Sequence, residues 1–233
     1  MNLTPRLKTI ALCVDIGSRI ADIGTDHAYL PVYMIENGIA ESAVASDINK
    51  GPVQNALQTV EKSGMASSIE VICAPGLKGL SGRFDAIIIA GMGGLLIKQI
   101  LEDDLKIVRN SVKLILQPMT NSIELRRFLC EHGYRILEEK ITIEGEKFYE
   151  IIIAAPGIPE ICDDEMTYEI SQAMRRNRDE NTKRFIEKKL YVVEQIVNQI
   201  ESNSNNRATS KLQQMKHRLA MLREVYEHEN QFR

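Results

Sequence analysis

A chain of 233 residues with 44% apolar side chains can bury the core of one large domain, or of one domain with an appendage. Its formal net charge of −3 excludes a globally basic nucleic-acid binder, although such a mean can hide a local patch. No long apolar run follows a basic start, and the longest near-apolar stretch, Ala86 to Ile97, contains three glycines and falls short of the ~20 residues needed to span a bilayer. These features predict a cytoplasmic protein with no membrane partner. The four cysteines, Cys13, Cys73, Cys130 and Cys162, form no CxxC and stand near no histidine pair. They are expected to be small core side chains in a reducing compartment, with no disulfide and no bound metal.

Apolar residues from Leu3 to Val14 fall at helical spacing behind Thr4-Pro5, an N-cap and first-turn proline. Ile20–Ile23 reads as a strand ending beside Asp22, followed by a turn at Gly24 and a helix to about Glu36. Ala43–Asp47 is a second strand with an acid at its end, and Pro52 opens the next helix. Ile69–Cys73 is a third strand, ending at Ala74-Pro75-Gly76. Phe84–Ala90 is apolar on both faces, as central parallel strands are, and Gly91-Met92-Gly93-Gly94 follows, with a helix to about Leu101. Val112–Leu116 is a fifth strand ending at Gln117-Pro118, and Ser122–Glu131 is a helix. Tyr134–Ile143 and Lys147–Ala155 flank Glu144-Gly145-Glu146 as a hairpin. Five alternating β/α units closed by a hairpin predict a seven-stranded sheet with only the last strand reversed. That is the α/β, Rossmann-like sheet of class I methyltransferases.

Pro156-Gly157-Ile158-Pro159 interrupts the last strand, so the chain divides into 1–157 and 158–233. Beyond it an expected helix covers roughly Asp163–Arg178. Ile186, Leu190, Val193, Val197 and Ile200, then Leu212, Met215, Leu219, Leu222 and Tyr226, recur at alternating steps of three and four. With the polar break Ser202–Asn206 between them, they predict an antiparallel coiled-coil hairpin. From Arg175 to Arg223 there are 12 Lys/Arg and 5 Asp/Glu, an excess of 12 − 5 = 7 positive charges. Such a run is either a solvated helix face or a track for a phosphate backbone. In the second reading Arg175, Arg176, Arg178, Lys183, Arg184, Lys188 and Lys189 are the contacts.

Four strand ends in a row carry candidate chemistry. Asp22 can accept from an ammonium group, and Asp47 can take both hydroxyls of a ribose. Pro75-Gly76-Leu77 can flank a flat base, and Gly91-Met92 gives close backbone approach with a soft apolar contact. Taken singly, each acid reads equally well as a turn residue or helix cap; together and in order they point to a cofactor site. No G-x-G-x-x-G is present, and Asp26 stands where a diphosphate would be repelled. A cofactor with a sulfonium and an ammonium, such as S-adenosylmethionine, suits this turn better. Asp26, His27 and Tyr29 crowd its mouth.

The stretches Ala21-Asp22-Ile23-Gly24-Thr25-Asp26-His27-Ala28-Tyr29-Leu30-Pro31, Ala45-Ser46-Asp47-Ile48, Ile89-Ala90-Gly91-Met92-Gly93-Gly94 and Leu116-Gln117-Pro118 closely resemble the TrmK family of bacterial tRNA (adenine-22-N1)-methyltransferases. The resemblance runs along the whole chain. It implies S-adenosylmethionine as donor and an adenine of the tRNA D arm as acceptor. It also implies that Asp22, Gly24, Asp47, Ile48, Gly91 and Met92 are cofactor contacts, with Asp26, His27 and Tyr29 at the cofactor and target base; Thr25, in the first turn, and Pro75 and Gly76, after the third strand, complete the expected cofactor site. Gln117 and Pro118 join the RNA-side residues, and the protein is expected to be a monomer or weak dimer. Pro75 stands where family members tend to carry Asp or Asn, so a main-chain group is expected at the cofactor's adenine amine. The rival readings are the same cofactor with another RNA position or a non-RNA acceptor, and a non-catalytic RNA-binding module.

Overall fold

The computed structural model describes residues 1–160, 165–202 and 209–230. The chain forms two compact units, Met1–Ile161 and Cys162–Arg233.

In the first unit, Thr4 is extended and its hydroxyl accepts from the Leu7 N–H, which starts α1 (Pro5–Ala11) with a proline in its first turn. The helix is shorter than its apolar spacing predicts; the chain turns after Ala11 to enter β1 (Ser18–Ile23). Then come α2 (Tyr29–Glu36), β2 (Ala40–Asp47), α3 (Lys50–Ser63), β3 (Ile69–Cys73) and β4 (Ala86–Met92). No helix separates β3 from β4, so the third unit of the expected alternation is a string of turns. After α4 (Gly94–Asp103) the backbone kinks at Asp104, φ −143° and ψ 57°, and resumes as an unforeseen short helix, α5 (Leu105–Asn110). β5 (Lys113–Pro118), α6 (Ser122–Glu131), β6 (Tyr134–Glu144) and β7 (Lys147–Pro156) complete the unit.

The strands lie in the order β3-β2-β1-β4-β5-β7-β6. All pairs are parallel except those of β7, which runs against both β5 and β6. The central run is inaccessible on both faces: Ile87, Ile88 and Ile89 of β4 and Leu114, Ile115 and Leu116 of β5 are all 0% exposed. Between β1 and β4 the strand order reverses, and this switch point opens a crevice at the strands' carboxyl ends. Cys13 is buried, and burial raises its thiol pKa to about 11, but Cys73 is exposed at the end of β3 and so is not the core side chain expected. Cys162 lies outside the described residues.

A buried cation fastens α6 to the closing hairpin. Arg126 donates through Nε and Nη2 to the two oxygens of Glu139, at 2.9 and 2.7 Å, and through Nη2 to Glu150. Neither Arg126 nor Glu139 is exposed.

In the second unit, the expected single helix after the boundary is two short ones, α7 (Glu165–Glu169) and α8 (Gln172–Arg176). The break falls at Ser171, which is extended and caps α8 by accepting from the Met174 N–H. α9 (Glu180–Ser202) and α10 (Thr209–Asn230) then pack antiparallel: Glu187 meets Tyr226, Glu194 meets Arg223 and Glu201 meets Lys216. Ile186, Val193, Val197, Leu219 and Leu222 of the predicted stripe are buried; Val225 is buried beside them while Tyr226 sends its hydroxyl to Glu187. Most of the polar break at 202–206 lies outside the described residues. Glu169 is held by Arg218 at 2.5 and 2.8 Å and by Lys189 at 3.5 Å. Burial pushes its carboxyl pKa up, but these cations outweigh that and hold it below the usual range.

Removing one member of a buried ion pair strands the other in a medium that cannot solvate it. Arg126→Ala is expected to lower unfolding free energy by about 3–5 kcal/mol, read from urea denaturation; a loss under 1 kcal/mol would contradict the burial described.

Candidate cofactor and acceptor site

The turn after β1 is shaped by one carbonyl. Gly24 N–H and Thr25 N–H both donate to Ser46 O, at 2.7 and 3.0 Å, tying the turn to the end of β2. Gly24 has φ +75°, where any Cβ is strained, and a Cβ there would lie 2.2 Å from the Met92 methyl. The Met92 methyl therefore packs on the Gly24 backbone, where a side chain would displace it.

Asp22 sits beneath this turn, 5% exposed, and accepts from Thr25 Oγ1 at 2.6 Å. Burial raises its pKa to about 6; the Thr25 hydrogen bond pulls it down and the charge of Asp47 pushes it up again. Asp47, at the end of β2, accepts from the Asn49 N–H at 2.9 Å through Oδ1. A cavity of about 480 Å³ opens beside it. Of the expected cofactor residues, Gly24, Asp47, Ile48, Pro75, Gly76, Gly91 and Met92 line it; Asp22 and Thr25 do not, being buried next to lining residues Ile23 and Gly24. Five polar lining residues lie outside the expected set: Asn49, Lys78, Gln99, Asp103 and Asp104. The last three come from α4 and the kink after it, and no local pattern marks them. With three carboxylates against one ammonium, the lining carries 1 − 3 = −2 charges. A diphosphate is disfavoured in such a cavity and a cation is favoured.

Asp26, His27 and Tyr29 do not line the cavity. They form a more exposed shelf on the same turn: the His27 and Tyr29 rings stack at 5.0 Å with 8° between planes, and His27 Nε2 is 3.6 Å from Asp26 Oδ2. Asp26 (φ 53°) and Ala28 (φ 54°) hold left-handed backbone without being glycine, at a cost of about 1–2 kcal/mol each. Strain kept in this way concentrates at functional turns.

Gln117 and Pro118 are not RNA-facing as expected; both are buried, Gln117 at 0% exposure. The Gln117 carboxamide turns inward because its oxygen accepts from Gly91 N–H at 3.1 Å and from Arg6 Nη1 at 2.8 Å, while its Nε2 donates to Pro118 O at 2.9 Å. It braces the turn after β4. That turn is tight: Gly94 N–H donates to Thr120 O at 2.7 Å, and a Cβ on Gly94 would lie 2.3 Å from Asn121 O.

In the second unit the basic residues divide. Arg175 Nε donates to Ile170 O, Lys183 lies 4.0 Å from Glu187, and Lys189 pairs with Glu169, all three half-buried. Arg176, Arg178, Arg184 and Lys188 are exposed.

A parallel sheet with one reversed strand, acids at the ends of β1 and β2, and glycine turns after β1 and β4 define the Rossmann-like fold of class I methyltransferases. Comparison with known proteins narrows this. Residues 20–224 match the model of the TrmK family, tRNA (adenine(22)-N(1))-methyltransferase, and the chain belongs to that family. It is 42% identical over 158 residues to the tRNA (adenine(22)-N(1))-methyltransferase of Bacillus subtilis (strain 168), an alignment spanning 67% of this chain and 66% of that one, just under two thirds of the relative. Solved structures match over nearly full length. The crystal structure of B. subtilis TrmK superposes with a TM-score of 0.84 at 32% identity, covering 97% of this chain and 99% of that one. M. capricolum TrmK, in complex with the cofactor product S-adenosyl-homocysteine, superposes with a TM-score of 0.82 at 27% identity, covering 97% and 98%.

Glycines of the first unit differ in what a methyl would meet. Gly94→Ala drives a Cβ into backbone carbonyls that cannot step aside and is expected to cost about 1–3 kcal/mol. Gly51→Ala, in α3 with nothing within 4 Å of its Cβ, is expected to gain up to about 1 kcal/mol. Thermal denaturation of the two variants checks the opposite signs.

Proposed function

We propose that this chain methylates N1 of adenine 22 in tRNA, with S-adenosylmethionine as donor, and that residues 1–157 bind the donor while 158–233 contact the tRNA. The observation that carries this reading is the acid-lined cavity at the switch point, in a chain of this family. The residues present fit the donor: the glycine turn gives backbone approach, buried Asp22 suits an ammonium and Asp47 a ribose diol. Ile48 and the Pro75-Gly76-Leu77 wall flank a flat adenine, and Gln99 and Asp103 are side-chain acceptors for its amine, a task Pro75 cannot perform. S-adenosylmethionine supplies an electrophilic methyl on a sulfonium.

The acceptor side needs little chemistry. Adenine N1 carries an in-plane lone pair, so no strong base is required; the work is in-line positioning in a dry pocket. The His27–Tyr29 stack offers a flat surface for the base, and Asp26 offers a carboxylate to the positive charge that N1 methylation creates. N6 transfer is disfavoured, because its lone pair is delocalised and the turn after β4 is Gly91-Met92-Gly93-Gly94 rather than an Asn/Asp-Pro-Pro-aromatic loop. Extracting a stacked nucleotide costs a few kcal/mol. Arg176, Arg178, Arg184 and Lys188, all exposed, offset this by holding the phosphate backbone.

Purified protein is expected to transfer labelled methyl to unmodified tRNA, with mass spectrometry locating 1-methyladenosine at position 22. Absence of label, or label elsewhere, rejects the reading. The Asp22 carboxyl gives a pH signature. Its folded pKa is raised from 3.8 to about 6, so this group makes the free protein more stable as pH falls from 6 towards 4. Binding of a cation runs the other way, since it needs the carboxylate. Affinity for S-adenosylhomocysteine should weaken as pH drops below about 6, by at most roughly tenfold per unit. Asp22→Asn should bind at least ~10-fold more weakly at pH 7.5 and lose that dependence, both measured by calorimetry.

A further inference from the structure

The acids at this site leave one charge unmatched. The amino-acid end of an S-adenosyl ligand carries a carboxylate as well as an ammonium, and a transferred nucleotide brings phosphate. Lys78, after β3, is the one cation among the described residues that line the cavity. A guanidinium beside Gly91 comes from a different element, the first turn of α1.

Arg6 is half-buried and held from three sides. Its backbone N–H donates to Glu144 Oε1 at 2.7 Å, its Nη1 donates to Gln117 Oε1 at 2.8 Å, and its Cζ lies 5.5 Å from the centre of the Tyr149 ring. Among the described residues its guanidinium makes no ion pair, and Gln117 takes one of its five donors. A Cβ on Gly91 would lie 3.7 Å from Nη1, which places this cation against the turn that forms the cavity wall after β4. Gln117 Oε1 accepts from both Arg6 and Gly91 N–H, so the cation and the turn are held in fixed relation.

We propose that Arg6 binds an oxyanion at the Gly91 turn, supplied by the α-carboxylate of the donor or by a phosphate of the RNA. A planar fork with free donors, pre-oriented by a carboxamide and an aromatic ring, matches such an anion in charge and geometry. The methylated base is not its ligand, because N1 methylation makes that base cationic. The inference rests on the function proposed above and names a ligand contact within it.

The test compares wild type with Arg6→Ala and Arg6→Lys. Two cofactor probes are measured by calorimetry, S-adenosylhomocysteine and 5′-methylthioadenosine, which lacks the amino-acid end. Unmodified tRNA binding is measured across a salt series. If the anion is the carboxylate, Arg6→Ala weakens S-adenosylhomocysteine by about 10- to 100-fold and leaves 5′-methylthioadenosine unchanged, and Arg6→Lys recovers part of the loss. If it is a phosphate, both cofactor probes keep their affinity while tRNA binding weakens and its salt slope falls by about 1. Equal loss of both cofactor probes with an unchanged salt slope would show that Arg6 only shapes the turn, and no change in any measurement would also overturn the proposal. Wild type failing to bind S-adenosylhomocysteine would instead reject the function on which the inference rests.

Discussion

The site depends on β1 and β4 being parallel neighbours whose continuing chains leave in opposite directions. Ile23 lies beside Ile89 in register, and past that pair one chain turns at Gly24, tied to β2, while the other bulges at Gly91, near the end of β4, against β5. The two glycine turns diverge, and the gap between them cannot be filled by either backbone. The remaining features brace that gap. Ser46 O gathers the N–H groups of the first turn, and Gln117 Oε1 gathers the N–H of the second. The braces come from the strands just outside the central pair, β2 and β5, so the crevice inherits the rigidity of the whole sheet.

The electrostatics follow from the same placement. Strand ends deliver Asp22 and Asp47 to the crevice at different depths, one beneath the turn and one at the wall. Burial raises the pKa of the deeper acid, so a bound cation and a proton compete for it. This arrangement discriminates among nucleotide cofactors by charge before shape matters: an acidic lining admits a sulfonium and an ammonium more readily than a diphosphate.

Much of this was legible in sequence because the relevant signals are local. A strand ending in an acid, a glycine that must turn, and a helix starting within a few residues mark the crevice at Asp22–Gly24 and again at Gly91–Gly94. The strand count and the reversed last strand followed from near-alternation and from the Glu144-Gly145-Glu146 hairpin. What sequence did not reveal is what tertiary structure brings from elsewhere. Arg6 meets Gln117 across 111 residues, and Asp103 and Asp104 reach the cavity only because α4 ends beside it. Gln117 faces inward for the same reason: a polar residue at a strand end reads as solvent-facing unless the partners that turn it inward are known. Pro75 remained visible as a departure, while the acceptors on α4 that can serve in its place did not. The break between α7 and α8 was missed because Ser171 is an N-cap only if the chain has already turned there.

The placement of β7 between β5 and β6 has a consequence for biosynthesis. The first unit's sheet is built outward from β1 until the final hairpin, and then its interior is completed by the last strand synthesised. A nascent chain that has emerged only as far as α6 exposes the apolar flank of β5 with nothing to zip against it. It also holds Arg126 without Glu139 and Glu150, and leaves Arg6 without Glu144 and Tyr149. Final consolidation of α1 and α6 therefore waits on one late segment of the first unit, and a ribosome stalled before it would display a sticky half-sheet to chaperones and proteases.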